Sequence, residues 1–205
     1  MSFCLTSCGG DDEEDTNTPD SNENGIVNEF GNARLLIGQW VCSINKPGWT
    51  FKSDGTCIMH GSSDEEGVWS YDPEIKYLAT TCRDWSWTVH ILTADNWQGS
   101  CSGKSFGYTK VENYVADNIK LIYGKWVEGS KTLILNGDSY TLKTQNETFK
   151  GSVKINISSK KIIFDDECVL TIYGLSGSIL YLTSKNYSDL TDKYKLFTGK
   201  YIYSE

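Results

Sequence analysis

The chain has no Cys-x-x-Cys pair, only two histidines and three prolines, and no run of 18 apolar residues. The first absence removes the usual frame for a zinc site. The last excludes a membrane-spanning helix, which needs about 20 consecutive apolar residues. Phosphate-cradling and dinucleotide-binding glycine motifs are also missing. No Lys or Arg precedes Arg34, whereas residues 1–30 hold eight of the 27 acids. The other 19 acids are balanced by 19 basic residues, so the net charge of −8 belongs to the leader. A neutral body lacks the basic footprint that nucleic-acid binding requires.

What the chain does have is aromatic residues (13%) and a phrase written twice. Asn32-Ala33-Arg34-Leu35-Leu36-Ile37-Gly38-Gln39-Trp40 returns as Asn118-Ile119-Lys120-Leu121-Ile122-Tyr123-Gly124-Lys125-Trp126. Both follow Asn-x-basic-Leu-aliphatic-x-Gly-x-Trp, with the tryptophans 86 residues apart. A helical turn is predicted before each Gly-x-Trp, at 30–37 and 116–122. Short alternating segments then arrive every ten residues or so, separated by turn signals such as Ser53-Asp54-Gly55-Thr56 and Asn136-Gly137-Asp138. About eight strands are predicted per repeat, the last of them at 194–203. The expected fold is all-β: two tandem small antiparallel up-and-down β-barrels, in repeats 30–114 and 115–205 behind a tether at 1–29.

Leu5-Thr6-Ser7-Cys8 has the form of a lipobox, with small residues ahead of a thiol that receives lipid. Only seven residues precede Cys8, too few for the charged and apolar regions of a signal peptide. The expectation is a lipobox remnant whose true start lies upstream or has been trimmed. Gly9-Gly10-Asp11-Asp12-Glu13-Glu14-Asp15 follows, and resembles the acidic export signal of surface lipoproteins in some Gram-negative bacteria. Polar residues continue to position 28 and read as a flexible tether. The expected address is the outer membrane, lipid-anchored through Cys8 and exposed at the cell surface.

The Gly-x-Trp openings and the Phe51-x-x-Asp54-Gly55-Thr56 string resemble lipocalins, and especially the shorter lipocalin-like (calycin-type) domains of bacterial lipoproteins. The likeness covers both repeats. It implies that Trp40 and Trp126 each close one end of a barrel. Each repeat is about half the length of a full lipocalin, and the second lacks the Asp-Gly-Thr string.

Six of the seven tryptophans fall in the first repeat. Trp85 and Trp87, two apart, share a strand face that is either an outward stacking platform or inward core. Trp49 and Trp97 follow turn signals and are expected at rims, where a half-exposed indole suits binding. Trp49, Trp85, Trp87 and Trp97 are therefore the candidate ligand-binding residues. Of the body cysteines Cys42, Cys57, Cys82, Cys101 and Cys168, an odd number, four lie in the first repeat. One disulfide or buried free thiols are both open readings.

Gly99-Ser100-Cys101-Ser102-Gly103 imitates a nucleophile elbow but reads as a hairpin, since no helix follows. His60 and His90 have no evident catalytic partner. Asp64-Glu65-Glu66 and Asp165-Asp166-Glu167 lack calcium-loop spacing and read as solvated turns. Neither a catalytic site nor a metal or cofactor is expected. The function expected is a binding module for a small apolar ligand or a glycan. The alternative is an accessory subunit that docks on an outer-membrane protein through the Trp-rich repeat.

Overall fold

The computed structural model describes residues 31–44 and 48–204; Cys8 and the tether lie outside them. Two closed antiparallel barrels of eight strands follow one another. The first comprises β1 (Gly38–Cys42), β2 (Gly48–Phe51), β3 (Thr56–His60), β4 (Glu65–Asp72), β5 (Tyr77–Thr80), β6 (Ser86–Leu92), β7 (Asn96–Cys101) and β8 (Lys104–Lys110). The second comprises β9 (Gly124–Glu128), β10 (Lys131–Asn136), β11 (Ser139–Lys143), β12 (Thr148–Asn156), β13 (Lys161–Phe164), β14 (Cys168–Leu175), β15 (Ile179–Thr183) and β16 (Gly199–Ser204). Each strand pairs with the next; β8 closes on β1 and β16 on β9. Closure satisfies every strand edge, which lets small all-β units stand in water. Eight strands enclose a space only just wide enough for side chains or one small ligand.

The repeated phrase has a common physical reading in both barrels. A 3-10 turn (Gly31–Leu36; Ile119–Ile122) leads into a glycine with φ of 143° at Gly38 and 132° at Gly124. L-residues avoid that conformation. A Cβ on Gly124 would also stand 2.5 Å from the Tyr203 ring. Two residues on, the indole N–H of Trp40 donates to the Leu36 carbonyl at 2.7 Å, and that of Trp126 to Ile122 at 2.8 Å. Both tryptophans are fully buried. The phrase is thus a floor: the indole ties the turn across the end of its own barrel.

The two floors meet. Arg34, in the first turn, donates to the Leu121 carbonyl of the second turn at 2.6 Å. Its guanidinium lies 3.7 Å from the Tyr203 ring centroid and 5.6 Å from that of Trp126. In the other direction Lys110 Nζ, 4.5 Å from the Trp40 ring, donates to Leu35 and Ile37 carbonyls and to Ser178 Oγ. Ser178 Oγ donates onward to Ala94 O at 2.6 Å. Ile37 belongs to the core of the second barrel although it is written in the first repeat. Gly177 makes this approach possible: a Cβ there would meet the Arg34 carbonyl oxygen at 1.7 Å. Residues 114–116 join the seam, with Val115 bridging Leu175 in parallel and Ala116 N donating to Leu175 O. Because floor faces floor, the two open ends point away from each other.

At its open end the second barrel is plugged. The strand expected over 194–203 begins only at Gly199; Asp192–Lys195 is instead a helical turn. Thr191 starts that turn in an extended conformation, and the turn swings Phe197 inward, 4.2 Å from the Phe164 ring and 5.1 Å from Tyr140. Lys193 Nζ and Tyr140 OH both donate to Asp165 Oδ2 at 2.7 Å, and Tyr194 OH donates to Glu167. Lys131 Nζ holds the carbonyls of Leu196 and Thr198 and pairs with Glu128.

Burial alone would raise the Asp165 pKa, but hydrogen bonds from Lys193 and Tyr140, with the Lys193 charge, leave it below the ordinary value. A depressed carboxylate contributes stability that is present above its unfolded pKa and lost as pH falls through the folded one. The Lys193 amine is raised by the same pairing, so its contribution is lost only as pH rises through its folded value. Lys193 is 36% exposed, which screens the pair. Asp165→Asn is therefore expected to cost only about 0.5–1 kcal/mol at neutral pH. It should also flatten the acid limb of the Tm–pH curve, measured between about pH 2 and 7.

Candidate functional site in the first barrel

The interiors differ in chemistry. The second barrel is filled largely by aliphatic side chains such as Leu133, Leu142, Ile162, Leu170 and Leu182, and Phe197 seals it. The first is lined by aromatic rings. Trp49 and Phe51 come from β2, Trp85 from the residue just before β6, Trp87 from β6, Trp97 from β7, and Phe106 and Tyr108 from β8. Trp87 sits at the centre, edge-on to Trp49 at 5.2 Å, to Trp85 at 5.6 Å and to Trp97 at 5.7 Å. Trp97 stacks on Tyr108 at 4.2 Å. Gly99 makes room for this packing, since a Cβ there would stand 3.1 Å from the Trp97 ring.

The four candidate tryptophans therefore converge on one interior. Trp85 and Trp87 share an inward face, and Trp85 alone of the four is only partly buried. The rim position expected for Trp49 and Trp97 is corrected: both are fully buried. Register decides this. Trp49 pairs opposite Trp40, and Trp97 opposite Tyr108, both on the inward face. The turn signals before them end at the strand's first residue, so each indole is already inside.

Polar atoms in this interior lack partners. The indole N–H groups of Trp87 and Trp97 are buried without a hydrogen bond, while the Trp49 indole and the Tyr108 hydroxyl face each other, with Cys42 beside the hydroxyl. In contrast, Trp40 and Trp69 donate to the carbonyls of Leu36 and Lys52. Burial, with Cys42 beside it, pushes the Tyr108 phenol up, so it stays neutral. A buried polar group left unsatisfied costs about 1–3 kcal/mol. The interior thus holds two pure donors, the Trp87 and Trp97 N–H groups, that an acceptor would satisfy. Half-buried Cys42 and Cys101 pack on the same cluster.

The Cys101 segment is a hairpin turn: Ser102 and Gly103, with φ of 49° and 74°, join β7 to β8. The acidic clusters have protein partners, Asp64 with His60, Glu65 with Arg83, and Asp165 with Lys193. Among the described residues no group of three metal-ligating side chains occurs. One arrangement went unseen in the sequence. Thr50 Oγ1 lies 2.8 Å from His60 Nε2, and His60 Nδ1 lies 3.1 Å from Asp64 Oδ2. This hydroxyl–imidazole–carboxylate relay has the order of a nucleophilic triad. Its hydroxyl belongs to a residue only 4% exposed on the barrel wall. The Asp-Gly hairpin between β2 and β3 was the available signal, since it sets Thr50 diagonal to His60.

Two clefts lie elsewhere. One of about 770 Å³ borders the plug of the second barrel, lined by Glu128, Lys131, Gln145 and Leu196 among others. The other, about 250 Å³, lies beside the seam against Trp69 and Tyr71. Comparison of the chain with protein-family models, curated proteins and solved structures finds no match.

Proposed function

We propose that this chain is a non-enzymatic lipoprotein of the lipocalin-like kind, held at the outer membrane surface through Cys8, whose first barrel binds a small apolar ligand or a glycan. The observation that supports it most is the pair of unpartnered indole N–H groups, of Trp87 and Trp97, inside an aromatic interior beside partly buried Trp85. The second barrel, by contrast, mixes aliphatic side chains with rings such as Phe164 and Phe197 that plug it. Among the described residues no helix is long and apolar enough to cross a membrane, and a lipid at Cys8 would supply the attachment.

The docking alternative draws less support, because Trp49, Trp87 and Trp97 face inward and leave the outer wall without them. Tryptophan fluorescence should shift on titration with long-chain fatty acids or with oligosaccharides, and Trp85→Leu should weaken that response at least several-fold. No response to either ligand class sinks the binding reading. A stoichiometric membrane-protein partner in native purification would favour the alternative.

A further inference from the structure

We propose that Cys57 and Cys82 are a disulfide site in the wall of the first barrel, closed during folding by a disulfide oxidant such as oxidised glutathione. Their sulfurs stand 3.8 Å apart, in contact, although the residues are 25 apart in sequence. The strand between them makes that contact possible. Cys57 on β3 pairs with Gly67 on β4. The chain leaving β5 then turns over Gly67 from the other side, as the 3-10 turn Cys82–Asp84. A Cβ on Gly67 would stand 2.7 Å from Cys82 Sγ and 3.2 Å from Cys82 N. Cys82 therefore lies on the continuation of β5, across Gly67 from Cys57, and the bare glycine lets the two sulfurs meet over it. Closing the bond would draw the flanking strands together.

Arg83 and Asp84 in the turn both take positive φ, 49° and 51°, which side-chain-bearing residues avoid. Glu65 already ties the turn to β4, accepting from Arg83 N and Nε and from Cys82 Sγ, and a covalent link at Cys82 would add to that hold. The other described cysteines sit elsewhere: Cys42 on β1, Cys101 on β7 and Cys168 in the second barrel.

The chemistry balances as ordinary exchange. One cysteine thiolate attacks the oxidant's disulfide and releases a thiolate. The second cysteine then attacks the mixed disulfide and releases the other. Two S–H bonds are lost and one S–S bond forms; two electrons and two protons leave with the oxidant as two thiols. Both residues are essentially inaccessible once folded, at 1% and 0% exposure. Burial also pushes the Cys57 thiol up to about 12, so exchange belongs to the folding chain and not to the finished barrel.

The test is to refold the full chain from denaturant in a glutathione redox buffer, alkylate free thiols, and map peptides by mass spectrometry. The expected product carries Cys57 linked to Cys82, two hydrogens lighter than the reduced pair. Its Tm should exceed that of the same chain refolded under reductant. Gly67→Ala, which keeps both thiols but wedges them apart, should reduce the linked fraction several-fold. Recovery of Cys57 and Cys82 both alkylated after oxidative refolding of the unsubstituted chain overturns the proposal, as does linkage of either one to a different cysteine.

Discussion

Trp126→Ala should lower the stability of the second barrel by about 3–5 kcal/mol, a large share of the 5–15 kcal/mol that holds a typical domain. The indole is fully buried, donates to Ile122 O, and packs edge-on against Tyr203 at 5.4 Å. Alanine would leave a void between the turn and the first strand, and would free the Ile122 carbonyl in a buried place. Urea unfolding followed by circular dichroism gives the change directly. Trp126→Phe separates the two losses, since it retains most of the volume and forfeits the hydrogen bond. A loss under about 1 kcal/mol for the alanine variant would mean that the floor is not what its burial implies.

The second large effect is expected at Arg34→Ala, about 2–4 kcal/mol, and it should be felt in the barrel to which Arg34 does not belong. Burial lowers the Arg34 pKa to about 10, which shows that the site penalises the charge it holds. The Leu121 carbonyl and the faces of Tyr203 and Trp126 offset that penalty. Alanine removes the filling volume and strands the carbonyl together. Arg34→Met keeps much of the volume and sheds the penalty, so it should cost clearly less. Differential scanning calorimetry with both variants is decisive. If Arg34→Ala and Arg34→Met are equally mild, the guanidinium is ornamental and the floors are joined by other contacts.

Much of the architecture could be read from residues. Strict alternation and the Asp-Gly and Asn-Gly turns marked sixteen strands, and the repeated Gly-x-Trp phrase marked where each barrel starts. The failures have physical causes. Pro47-Gly48 and Asp95-Asn96 punctuate the chain, but punctuation does not say which face the next residue takes. Cross-strand register does, and register depends on partners some ten residues away. Tyr194–Thr198 carries aromatic residues at strand-like density, yet the inward pull on Phe197 folds it into a helical turn. The cations at the seam were invisible for another reason. Arg34 and Lys110 look like ordinary surface charges in sequence, and only the meeting of two floors removes them from water. The candidate site was half legible: the cluster of tryptophans stands out in the sequence, while their convergence on one interior required coordinates.

The cation that completes the second floor is written in the first copy, and the lysine of the first floor leans on a serine of the second. In the first barrel Lys110 stands opposite Trp40; the matching place opposite Trp126 holds Tyr203, and Arg34 supplies the missing charge from next door. Duplicated units that trade parts in this way behave as a ratchet. Either half, excised as a stand-alone gene, would inherit a hole where its neighbour's side chain had been. The two outward mouths, one aromatic and the other plugged, lie clear of these shared contacts.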